Sequence, residues 1–167
     1  VDEELAKEES EWRSQRIKGY SAIKMPPGFR VVKAYPLNEP WAYARIIENP
    51  ETGEVRYIVD EIPLSEEERK VYQQVMSILY WELRPPPPDV DPADYFAREA
   101  RRVIRLHRLR LGRTPGVSWA KIHYYVVRDT VGFGPLDPLM RDPYIEDISC
   151  DGVGRPVFVW HREYEYI

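Results

Sequence analysis

Between Val131 and Gly152 the sequence reads VGFGPLDPLMRDPYIEDISCDG, and this run leaves the backbone fewer choices than any other stretch of the chain. Pro135, Pro138 and Pro143 fix their own φ and carry no amide proton. Gly132 and Gly134 tolerate positive φ, and Asp137, Asp142 and Asp151 are placed to accept from neighbouring amides. The expected course is a helix end at Gly132, a turn through Gly134 and Pro135, one helical turn from Pro138 to Arg141, and a strand from Ile145 to Cys150. Such a run is a stiff, stepwise connector.

The segments it connects are of two kinds. From Phe29 the apolar period is two, in FRVVKAY, in WAYARIIE from Trp41 to Glu48 and in EVRYIVDE from Glu54 to Glu61, which predicts three antiparallel strands. Asn49 to Gly53 supplies a hairpin turn, with Pro50 initiating it and Gly53 taking the last positive φ. The period then changes to helical. Ser65 and Glu68 form a capping box, Glu66 and Glu67 suit the positive end of the helix dipole, and Val71, Val75, Ile78 and Leu79 make one apolar face that runs to about Leu83.

Pro85 to Pro88 end that helix and favour a polyproline spacer. Asp91 and Pro92 open a second helix, closed by Gly112, with Phe96, Ala100, Val103, Ile104, His107 and Leu111 on one face. A third helix, from about Ser118 to Thr130, buries Trp119, Ile122, Val126 and Val127. After Gly152 a turn through Gly154, Arg155 and Pro156 sends VFVWHRE back against IEDISC, and Tyr164 to Ile167 begins one more strand. The fold class is α+β: a small three-stranded antiparallel sheet with a helix, a polyproline spacer, then a helical pair leading to a second antiparallel sheet. The expected divisions are a charged, partly ordered leader over 1–24, a β-meander with its helix over 25–84, the spacer over 85–90, and an α+β domain over 91–167.

Composition narrows the class. No apolar run approaches the roughly 20 residues of a membrane-spanning helix, and the amino end is acidic, unlike an export signal. The single cysteine, Cys150, excludes an internal disulfide and a cysteine-based metal cluster and points to a reducing compartment. A net charge of -4 argues against nucleic acid as a general partner. Eighteen of the 24 cationic side chains are arginine, and their placement matters more than their sum. Arg98, Arg101, Arg102, Arg105 and Arg108 recur every three or four residues along the second helix and form a basic ridge. Two readings stand for it: a solvated face paired with glutamates, or a dock for an acidic partner, anionic headgroups or a neighbouring subunit's nucleotide.

Catalytic chemistry finds little footing. Phosphate-loop hydrolysis needs a lysine and a hydroxyl residue behind a glycine-rich loop, and the chain contains no Gly-Lys pair. His107, His123 and His161 fall on different elements without metal-ligand spacing. Glu146 and Asp147 are adjacent on a strand and point to opposite sides, the wrong arrangement for paired acid and base work. No catalytic residue and no metal ligand is assigned.

One resemblance gives these negatives a context. Gly132, Gly134, Leu136 to Leu139, Asp142, Pro143, Ile145 to Ile148, Cys150 to Gly152, and then Pro156, Val157, Val159, His161 and Arg162 resemble the N-terminal domain of archaeal secretion-system ATPases, which drive type II secretion, type IV pili and archaella. The likeness runs from about Tyr124 to Tyr166. It implies a regulatory domain without a phosphate loop of its own, in a parent that uses ATP and magnesium in a following motor domain. It implies as partners that motor domain, neighbouring protomers of a homo-hexamer and an inner-membrane platform protein, at the cytoplasmic face of the membrane. Arg155 and Arg162, which flank VFVWH, become candidates to touch nucleotide held elsewhere, with Arg141 a third; the alternative is that the first two are edge arginines and that Arg141 pairs locally, beside Asp142. A chain that opens on Val1 and closes at Ile167 inside an alternating run is expected to be a piece of something longer.

Overall fold

A computed structural model describes residues 23–82 and 84–167, with the isolated positions Glu3, Lys7, Ser10, Glu11 and Ser14 before them. The leader expected over residues 1–24 lies almost wholly outside the described residues. The chain forms two compact units, one comprising Val1–Tyr20 and Pro63–Pro135 and the other Ser21–Ile62 and Leu136–Ile167. The α+β class is as the periodicities indicate: one three-stranded antiparallel sheet, then helices, then a second three-stranded antiparallel sheet.

In the first unit three helices share a core: α1 (Glu66–Glu82), α2 (Pro92–Leu106) and α3 (Pro115–Thr130). Val71, Val75 and Leu79 of α1 meet Ala100, Val103 and Ile104 of α2 and Ile122 and Val126 of α3. Burying one such side chain contributes roughly 1.5–3 kcal/mol, and these residues sit on both sides of the proline run. The run therefore joins two helices of one core and does not separate subdomains, which corrects the boundary expected at residues 85–90. The chain passes between the units after Ile62 and after Pro135 instead.

The start of α1 matches its sequence signature. Ser65 N–H donates to Glu68 at 2.8 Å and Glu68 N–H donates to the Ser65 hydroxyl at 3.1 Å, a closed capping box. Glu68 is buried beyond that role, accepting from the Ser118 hydroxyl at 2.7 Å and from Lys121 at 3.1 Å. Burial acts to raise its carboxyl pKa, but the bonds from Ser65, Ser118 and Lys121 outweigh it and hold the group below the ordinary range.

Helix α2 stops at Leu106, not at Gly112. Arg108 takes φ 52, its amide donates to Arg105 O at 3.2 Å, and Leu109 N–H closes onto Ile104 O at 2.9 Å. These two bonds are those of a Schellman termination, with arginine in the left-handed position that glycine ordinarily fills. The stop is driven by Leu109 and Leu111, which pack on the helical core from a non-helical path. Helix α3 begins before Ser118 because Pro115 is well suited to a first turn, where an amide proton has no partner in any case.

The second unit carries both sheets. Strands β1 (Arg30–Asn38), β2 (Ala42–Glu48) and β3 (Val55–Glu61) pair in the order β1-β2-β3. β2 lies in the middle, which is why Ala42, Ala44, Ile46 and Ile47 are fully buried. The hairpin turn forms as read, with Gly53 at φ 73 and the Asn49 side chain accepting from the amides of Glu51 and Thr52. The connector runs as a 3-10 turn over Gly134–Leu136, a single helical turn α4 (Asp137–Met140), and β4 (Ile145–Cys150). β5 (Val157–His161) returns antiparallel to β4, and β6 (Glu165–Tyr166) follows on its other side.

Candidate functional site

The most heavily invested polar site lies in the second unit and was not legible as a motif. Asp142 is 5% exposed, and its Oδ2 accepts from the phenols of Tyr35 and Tyr57, both at 2.6 Å. Its Oδ1 accepts from the Tyr144 amide at 2.7 Å. His161, fully buried, lies 3.0 Å from the Tyr35 oxygen through Nε2. Its Nδ1 accepts from the Glu163 amide at 3.1 Å, which places the neutral ring's proton on Nε2, donating to Tyr35. A directed chain results, from His161 to Tyr35 to Asp142, with Tyr57 entering from β3.

Aromatic rings close around this chain. His161 stacks on Tyr144 at 5.6 Å, with Tyr35, Tyr57 and Tyr164 within 6.5 Å of its ring. Lys33 caps the cluster, lying 4.3 Å over Tyr144 and binding Glu163 at 2.6 Å. Burial pushes both phenols, Tyr35 and Tyr57, far above the ordinary tyrosine value, and their bonds to Asp142 add to the rise. Burial also lowers the His161 imidazole, outweighing Asp142 and Glu163, which favour its charged form. With its imidazole wholly enclosed and its phenols held protonated, the cluster acts as a fastener: it binds β1, β3, β5 and the loop before β4 into one body.

Two of the three nucleotide-contact candidates, Arg155 and Arg162, lie at opposite ends of β5. Arg155 sits in the exposed turn before β5, its amide donating to Gly152 O at 3.3 Å, and no ion pair engages its side chain among the described residues. Arg162 follows β5 and pairs with Glu146 at 2.9 Å. Arg155 and Arg162 are seven residues apart and lie just outside opposite ends of β5, so at about 3.3 Å per extended residue their Cα atoms stand roughly 20 Å apart. Arg141 does pair locally, though with Asp137 one helical turn back at 2.7 Å and not with Asp142, which the two phenols occupy.

The ridge is shorter than its spacing implied, because Arg108 lies beyond the end of α2. Of the rest, Arg102 pairs with Glu99 at 2.9 Å and reaches Glu82 at 4.0 Å. Arg101 lies 5.5 Å over the Trp119 ring, which stacks on His123. Arg98 and Arg101 border a groove of about 550 Å³ that also takes in Asp91, Asp94, Trp119 and His123. Arg98 and Arg105 have no carboxylate within ion-pair distance among the described residues. The paired-face reading therefore holds for Arg102 alone.

Among the described residues no group of histidine, cysteine, aspartate or glutamate side chains converges to hold a metal ion, and no helix is long and apolar enough to cross a membrane. No family model matches the chain. A protein of Methanocaldococcus jannaschii described as Uncharacterized protein MJ1288 is 34% identical over 115 residues, a match that covers 67% of this chain and 44% of that protein. The chain thus spans less than half the length of this relative.

Proposed function

We propose that this chain is the regulatory N-terminal part of a hexameric secretion or filament-assembly ATPase, coupling the nucleotide state of a separate motor domain to a membrane platform. The observation that carries the reading is the run from Val131 to Arg162: the residues that resemble the family are those that build the connector, α4 and the β4–β5 hairpin. Asp142 and His161, both within the run, lock that hairpin to the first sheet, so an exposed cation at Arg155 rides on a rigid body. A rigid body is what a swing relative to a motor requires. In this reading ATP and magnesium belong to the motor domain, and this part works among like protomers at the cytoplasmic face of a membrane. Sequencing the gene beyond the codon for Ile167 tests it: a downstream phosphate-binding loop is expected, and an uninterrupted frame without one overturns the reading.

A second reading is favoured by the unpaired Arg98 and Arg105 on α2: a module that captures an acidic protein or an anionic surface through its arginines. Salt-sensitive binding to vesicles containing anionic lipid, or to an acidic peptide, is then expected of the isolated chain. Unchanged binding after charge reversal at Arg101, Arg102 and Arg105 excludes it.

A further inference from the structure

The last turn of α1 turns two large aromatic side chains away from the core that the rest of the helix builds. Leu79 is 2% exposed and belongs to the helical core, yet Tyr80 and Trp81, which follow it, are each 81% exposed. Their rings meet edge to face with centroids 5.2 Å apart. Tryptophan is seldom so open to water, and a contiguous apolar patch on a surface marks a contact site. The polyproline run just beyond enlarges the patch, since Pro85, Pro87 and Pro88 are exposed as well.

The backbone under this patch is already ordered. The Tyr95 hydroxyl donates to Arg84 O at 2.9 Å, Val90 N–H donates to Pro87 O at 3.2 Å, and the prolines fix their own φ. Covering such a segment costs little conformational freedom. Its charges are also open. Glu82 is half exposed and reaches Arg102 only at 4.0 Å, while Arg84 is exposed and has no ion pair among the described residues. In chain order the surface is therefore aromatic and acidic at one end, and basic and proline-rich at the other.

We infer that this surface binds the same surface of a second copy of the chain, across a two-fold axis that passes between Glu82 and Arg84. A two-fold contact requires a self-complementary patch, in which one residue meets a second and that second meets the first. Set antiparallel, Tyr80 and Trp81 of each copy lie on the prolines of the other, and Glu82 of each faces Arg84 of the other. Tyrosine, tryptophan and arginine are the side chains that most often dominate binding energy. A parallel arrangement instead sets glutamate against glutamate and arginine against arginine, so charge selects the antiparallel one. The contact closes at two copies, unlike the head-to-tail contacts of a ring, and stands apart from any role in a hexameric motor.

Sedimentation equilibrium of the chain tests this. Two aromatic side chains bring roughly 150–250 Å² each, less than a standard interface of about 800 Å² per partner, so a monomer–dimer equilibrium with a Kd of roughly 10–300 μM is expected. Trp81→Ala is expected to raise that Kd about tenfold or more. Glu82→Arg and Arg84→Glu, each alone, place like charges together and are expected to weaken association about tenfold. An equimolar mixture of those two variants brings unlike charges together at both positions and is expected to recover the wild-type Kd to within about threefold. A chain that stays monomeric up to about 1 mM overturns the inference, as do single variants that associate like wild type. A mixture no tighter than its components overturns it, and so do assemblies that grow beyond two copies, because they belong to a head-to-tail contact.

Discussion

Tyr35 and Asp142 stand 107 residues apart in the chain and share a hydrogen bond of 2.6 Å. Through it the edge strand β1 is tied to the loop that launches β4. Tyr57 converges on the same oxygen from β3, so a single carboxylate oxygen serves both outer strands of the first sheet. Replacing Asp142 with alanine leaves two half-buried phenols without this acceptor, a loss of up to about 1–3 kcal/mol for each such group before relaxation. Chemical denaturation of Asp142→Ala is expected to show destabilisation of roughly 2–4 kcal/mol, with Tyr35→Phe and Tyr57→Phe each losing about 1 kcal/mol. An alanine variant as stable as wild type would show that the cluster fastens nothing.

The same cluster gives stability a dependence on pH. His161 has its pKa lowered from 6.5, chiefly by burial, so the folded chain takes up a proton at this site less readily than the unfolded chain. The contribution is complete above the ordinary imidazole value and is lost as pH falls through it toward the lower folded value. Protonating Nδ1 would also cost the bond from the Glu163 amide. The thermal midpoint is expected to fall between about pH 7.5 and 5.5, and His161→Gln to flatten that fall. Identical slopes for both proteins would remove His161 from the account.

How much of this was legible in the sequence depends on the range of the interaction. Ser65 and Glu68 are three residues apart, and their capping box is visible because its geometry is local. The turn at Asn49 to Gly53 is legible for the same reason. The stop of α2 at Leu106 was not, since nothing in Arg108 advertises positive φ and Leu109 and Leu111 continue a helical apolar pattern while packing from a loop. Nor was the fastener: Tyr57 and Asp142 are 85 residues apart, and no spacing rule joins a tyrosine in one sheet to an aspartate in a connector. The assignment of α1 to the helical core failed in sequence because four prolines look like a boundary, whereas the apolar faces on either side of them complete one another.

Arg108 holds the left-handed position of a Schellman termination, at a cost that glycine does not bear. Its side chain has no ion pair among the described residues that a substitution would remove. Arg108→Gly is expected to stabilise the chain by about 0.5–1 kcal/mol, read as a higher denaturation midpoint. A destabilised variant would mean that the arginine side chain itself holds the turn.

Glu68 joins the start of α1 to Ser118 and Lys121 of α3. Its carboxyl is held below the ordinary range in the fold, so its contribution is present above the unfolded value and is lost as pH falls through the folded one. Ser65→Ala, which removes only the cap, is expected to cost about 1 kcal/mol. Glu68→Gln is expected to cost more than that, since it also breaks the buried contact with Lys121, and to weaken the acid sensitivity below about pH 4.5. Equal losses for the two variants would show that the interhelical contacts contribute nothing beyond the cap.

Steady-state ATP turnover by the full-length gene product, measured for wild type, Arg155→Ala and Arg162→Ala, bears most directly on the proposal that the hairpin offers its cations to a nucleotide bound elsewhere. Because these arginines lie at opposite ends of β5, they are expected to act separately, and turnover is expected to fall by roughly a hundredfold in at least one variant while folding is retained. A full-length protein without ATP turnover, or two variants that turn over ATP at the wild-type rate, would contradict it.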